Sequence, residues 1–145
     1  MSERETIRVD GNWTEHAVGV LRIVTALLFL EHGTSKILSF PETAASNPNM
    51  WSLFWVAGLI EMFGGLLLLA GLWTRWVALL LAGEMAIAYW MVHAPKSLFP
   101  VLNGGEAAIL FCFIFLLLTA TGAGEWSIDK MLTRRRPESV GYRVN

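Results

Sequence analysis

Four apolar stretches, each close to the length that crosses a lipid bilayer, constrain this chain more than any other feature. They run over about Ala17 to Leu38, Leu53 to Leu72, Arg75 to Val92 and Glu106 to Gly122. A helix of ~20 residues spans a hydrocarbon core of ~30 Å. Inside lipid each backbone N–H and C=O must be satisfied within its own segment, so stretches of this length have to be helices. The short separations make them consecutive hairpins. The expectation is an all-α integral membrane protein, a four-helix bundle running up-down-up-down. Residues 1–16 form a polar cytoplasmic N-terminal segment, 17–129 the four-helix membrane domain and 130–145 a basic, mobile cytoplasmic tail. Composition agrees: 54% of the 145 residues are hydrophobic and 16% charged, against roughly a quarter charged in soluble domains.

The seven tryptophans, Trp13, Trp51, Trp55, Trp73, Trp76, Trp90 and Trp126, all fall at or near the proposed helix ends. Indoles favour the headgroup level, whereas a soluble core would scatter them. Orientation follows the basic residues. Arg4 and Arg8 precede the first helix, Arg75 lies in the tight second turn, and Lys130 with Arg134 to Arg136 follows the fourth. These regions share one side, the cytoplasmic one. The opposite loops, SFPETAASNPNMWS and HAPKSLFPVLNGG, carry only Lys96 and the prolines and asparagines of irregular structure. Arg134 to Arg136 are read as a topology determinant that contacts anionic lipid. The first apolar segment follows a polar leader and is interrupted by Arg22, Glu31, His32 and Lys36, so it reads as a retained helix and not as a cleaved signal.

A net charge of −1 with no basic face argues against nucleic acid. One cysteine, Cys112, sits inside an apolar run, so thiol–disulfide chemistry within the chain is excluded. His32 and His93 lack the H-x-x-x-H or E-x-x-H spacing of a helix-borne metal site, and no metal is expected.

Charged groups in a bilayer cost ~2.5–3.5 kcal/mol each on insertion scales, so their placement carries the remaining information. Counted from the outer helix ends at about 1.5 Å per residue, Glu31 lies ~10 Å deep, Glu61 ~12 Å and Glu84 ~12–14 Å, with Glu106 near the surface. His32, Lys36 and His93 share that outer half. Each helix thus delivers one glutamate to a common layer, a candidate binding or proton-relay cluster. Arg22, Arg75 and Asp129 lie toward the inner side, Arg22 near Glu125 or Asp129. On the first helix Arg22, Thr25, Phe29, His32 and Lys36 follow three- and four-residue steps and form the inward stripe; Glu31 lies off it. Glu61 shares a face with Gly58 and Gly65, where a neighbouring backbone can come close. Three readings follow: a binding or proton-handling site, a small-solute or proton-coupled transport module, and a structural anchor whose polar layer fixes helix register.

These residues resemble the DoxX family. The resemblance rests on Arg22 and the HG-x-x-K element from His32, the E-x-x-GG-x-L-L-L-x-G-x-x-T-R block from Glu61, the GGE of Gly104 to Glu106 and the closing G-x-G-x-W-S-x-D. It covers about Gly19 to Asp129. It implies a small four-helix protein of the bacterial inner membrane. The sequence shows no redox centre of its own, so no intrinsic cofactor is expected, and the chain is expected to act as a subunit of an oxidoreductase more than as a catalyst by itself. The resemblance further implies an accessory or anchoring subunit of a quinone-linked or oxidative-stress redox system, because one family member is a subunit of thiosulfate:quinone oxidoreductase. Quinone is the cofactor to expect. The partners to expect are the lipid bilayer, a redox subunit and a second copy of the chain.

Overall fold

The computed structural model describes residues 11–134, and among these the chain forms helices and no strands. The helices are α1 (Gly11–Leu38), α2 (Leu53–Ala70), α3 (Thr74–Ala88, continued by a π-helical turn over Tyr89–His93), α4 (Pro100–Asn103), α5 (Glu106–Thr121) and α6 (Ile128–Arg134). Three are long and apolar enough to cross a membrane: Trp13–Leu38 with 26 residues, Leu53–Ala70 with 18 and Thr74–His93 with 20. The fourth apolar helix, α5, has 16 residues. It rises ~24 Å, about one turn short of a ~30 Å core. α1 begins at Gly11, ahead of the expected Ala17, and residues 130–134, assigned to a mobile tail, belong to α6. The expectations for residues 1–10 and 135–145 lie outside the described residues.

Neighbouring helices run antiparallel. Gly33 of α1 faces Met62 of α2 while Leu30 faces Gly65, and Gly64 of α2 faces Leu81 of α3. Arg75 at the start of α3 reaches Thr119 to Thr121 at the end of α5, and His93 at the far end reaches Asn103 just before α5. The chain therefore alternates direction through α1, α2, α3 and α5. α1 packs chiefly on α2 and α3 chiefly on α5, so the fold is two tight pairs joined by thinner seams. Phe29, Leu68, Leu81, Phe115 and Leu118 fill the centre. The Phe29 ring meets Phe111 and Phe115 edge-on, with centroids 5.4 and 4.9 Å away.

The α1–α2 seam depends on missing side chains. A Cβ on Gly33 would lie 2.4 Å from the Met62 backbone nitrogen, a distance only a shift of the helices could relieve. Gly33→Ala is therefore expected to cost about 1–3 kcal/mol, as overpacking does. The check is the midpoint of thermal unfolding in detergent, and a midpoint equal to wild type would mean that the seam is not this tight.

Candidate functional site

Lys36 sits in the last turn of α1, where an ammonium is favoured by the helix dipole. Its stem crosses α2 at Gly58: a Cβ there would come within 2.9 Å of Lys36 Cβ. Glu61 stands three residues further along α2, so the ammonium arrives beside its carboxylate. Lys36 Nζ donates to Glu61 Oε1 at 2.5 Å, and the side chains are 14% and 3% exposed. The antiparallel step that sets Gly64 against Leu81 puts Glu84 of α3 level with Glu61, where it feels the charges of both Glu61 and Lys36. Three helices thus each bring one ionisable group to one place.

The three groups do not satisfy one another. Glu61 Oε2 and both oxygens of Glu84 are buried with no hydrogen-bond partner among the described residues. Buried polar atoms are nearly always paired, because stripping water from one without replacement costs several kcal/mol at worst. Glu61 and Glu84 line a groove of about 460 Å³ between α2 and α3. Its remaining wall is apolar and includes Phe54, Ile60, Leu80, Gly83 and Met91. Phe54, Leu80 and Met91 are about half exposed or more, so the groove opens sideways where lipid would lie. A Cβ on Gly83 would touch nothing within 4 Å, which keeps that wall hollow.

The rest of the outer layer does not join this cluster. Glu31, His32 and Glu106 are exposed. His32 faces α5, its ring edge-on to Phe111 at 5.7 Å and its Nδ1 2.9 Å from Leu28 O. His93 stacks on Tyr89 and holds Asn103 O at 3.0 Å. Of the inward stripe expected on α1, Arg22, Thr25 and Phe29 are buried as foreseen, and His32, though it lies against Phe111, is exposed. Helices can agree in depth and still differ in azimuth, and only azimuth decides which side chains meet.

The inner-side residues act as caps. Arg22 is fully buried and donates to five backbone carbonyls, those of Leu68, Leu69, Ala123, Glu125 and Trp126, at 2.5–3.3 Å. The expectation that it lies near Glu125 holds for the backbone of that residue; its carboxylate instead pairs with Lys130 and Arg134. Arg75 donates to the last carbonyls of α5, those of Thr119, Ala120 and Thr121. Asp129 accepts from the backbone N–H groups of Trp73 and Thr74, both at 2.8 Å, and so caps α3 from far along the chain. Gly71 ends α2 in the left-handed region at φ 66°, and a Cβ there would sit 2.5 Å from Ser127 Cβ. A larger open cleft of about 720 Å³ lies at this end, lined by Glu15, Arg75, Asp129 and Lys130 among others. Its charged groups are engaged with carbonyls, backbone N–H groups or one another. The groove is therefore the better candidate, because its carboxylate oxygens still need partners.

Comparison with known proteins agrees with the helices. The model of the DoxX family matches residues 17–94, a stretch that holds Arg22, Lys36, Glu61 and Glu84. An uncharacterized protein of Haemophilus influenzae is 40% identical over 120 residues, covering 79% of this chain and 90% of its own length. The inner membrane protein YqjF of Escherichia coli is 32% identical over 133 residues, covering 81% of this chain and 95% of its own. No solved structure matches.

Proposed function

Because the chain belongs to the DoxX family, we propose that it is a membrane-embedded binding subunit whose groove between α2 and α3 takes the polar head of an amphipathic ligand from the bilayer. One observation carries this reading: two glutamates, three of whose buried oxygens lack partners among the described residues, line an apolar groove that opens toward lipid. Its size falls within the ~300–1,000 Å³ common for ligand pockets, and apolar walls with few convergent polar groups are the usual make-up of such sites. In the redox setting expected of the family, a quinone or quinol is one ligand of this class. Lys36, Glu61 and Glu84 then hold the ring oxygens and exchange their protons, and a partner subunit supplies the electron-carrying group. The bacterial inner membrane is the expected location. The end holding Arg75, Lys130 and Arg134 is assigned to the cytoplasmic side, by the excess of basic residues there.

Gly83→Leu tests the reading with little risk to the fold, since the added side chain enters open space and leucine favours helix over glycine. Protein in nanodiscs is expected to retain a short-chain quinol in native mass spectrometry, and Gly83→Leu to lower that retention at least tenfold at unchanged helicity. Equal retention by the two proteins would remove the groove as the site.

The structural-anchor reading is favoured by the Lys36–Glu61 pair, which ties α1 to α2 beside the Gly33 and Gly58 contacts. Under it Gly83→Leu is silent in every binding measurement. A transport role uses the same carboxylates, and predicts flux in proteoliposomes that disappears in Glu61→Gln.

A further inference from the structure

The charges around the groove say more about its occupant than its shape does. Lys36 commits its ammonium to Glu61 Oε1, while Glu61 Oε2 and the two oxygens of Glu84 are left without donors. Two acidic side chains therefore face one cation, in surroundings where Coulomb forces are several times stronger than in solution, so that a second cation would let both be ionised at once. A well-matched head group brings both donors and positive charge. An alcohol brings one donor and no charge, a quaternary ammonium brings charge and no donor, and an anionic head is repelled. A primary ammonium brings three N–H donors and one unit of charge, enough for the three free oxygens.

We infer that the groove binds single-chain amphiphiles headed by a primary ammonium, the cation sitting between Glu61 and Glu84 while the chain lies along Phe54, Ile60, Leu80 and Met91. The inference rests on the reading of the groove as a binding site. The ethanolamine headgroup of a phospholipid shares the ammonium but carries a phosphate, which would bring negative charge toward the carboxylates. The single-chain amine is therefore the better fit.

The experiment is native mass spectrometry of the protein released from phosphatidylcholine nanodiscs loaded with dodecylammonium, dodecanol or dodecyltrimethylammonium. Dodecylammonium is expected to be retained at least tenfold more than either of the others. Glu84→Gln, which keeps the shape and removes the ionisable group, is expected to bring dodecylammonium retention down to that of dodecanol. Gly83→Leu is expected to lower retention of all three. Equal retention of amine and alcohol by the wild type would overturn the inference and leave the groove standing as a site for neutral heads. Retention of none of these and of no quinol would remove the groove altogether. Preferential retention of phosphatidylethanolamine in mixed nanodiscs, with no retention of dodecylammonium, would overturn the single-chain assignment.

Discussion

Arg22→Met is expected to leave little folded protein to purify. The guanidinium is fully buried and joins the C-terminal carbonyls of α2, at Leu68 and Leu69, to the turn after α5, at Ala123, Glu125 and Trp126. It does so where α1, α2 and that turn meet, so one side chain fixes three parts of the chain. The C-terminal end of a helix carries partial negative charge and favours a cation. Hydrogen bonds from a charged donor are worth ~1.5–3 kcal/mol each, and carbonyls left buried without one incur a desolvation cost of similar size. A loss on the order of 3–5 kcal/mol is the expectation for removing such a charged partner, against total stabilities of ~5–15 kcal/mol. Arg22→Lys is expected to recover only part of it, because three donors on one nitrogen cannot span five carbonyls that a planar fork reaches. Size-exclusion profiles and unfolding midpoints in detergent measure both. A monodisperse Arg22→Met protein with the wild-type midpoint would refute the account.

The Lys36–Glu61 pair gives the second large effect, and its sign depends on whether one partner or both are removed. Lys36→Met strands a carboxylate that is 3% exposed, and breaking a buried pair this way costs ~3–5 kcal/mol. Replacing both residues, Lys36→Met with Glu61→Leu, removes the stranded charge and is expected to restore most of that loss, since apolar replacements of buried pairs are often near neutral. The coupling energy from the full cycle isolates the pair itself. The double variant also separates the two roles weighed for these residues. If the pair only ties α1 to α2, the double variant unfolds near the wild-type midpoint and every ligand measurement is unchanged. If it forms the head of a binding groove, the same variant folds and fails to retain ligand. Stability equal to wild type in Lys36→Met alone would mean that the pair is not buried as described.

The glutamates show where reading from the sequence stops. Glu61 and Glu84 were both placed in the outer half of the membrane from their offsets along the helices, and the structure sets them level with each other at one groove. By the same arithmetic Glu31 and Glu106 shared that half, yet both are exposed. Depth along a helix is a count of residues and survives an error of one or two. The direction a side chain faces turns by about 100° with each residue, so the same error moves it from core to lipid. The glycine contacts at Gly33 and Gly58 fix that rotation for α1 against α2, and no single segment contains both sides of such a contact.

The sequence by itself determined that the chain is helical, that it belongs in a membrane and roughly where its charged residues lie along each span. Those properties follow from apolar length and from the need of each segment to satisfy its own backbone in lipid, and both are local. Tertiary structure alone decided that Lys36, Glu61 and Glu84 line one groove while His32 and Glu106 do not, and that Arg22 and Asp129 serve the backbone of distant helix ends. A backbone carbonyl or N–H has no identity in a sequence, so a side chain whose partners are backbone atoms, as those of Arg22 are, shows them only once the helices have packed.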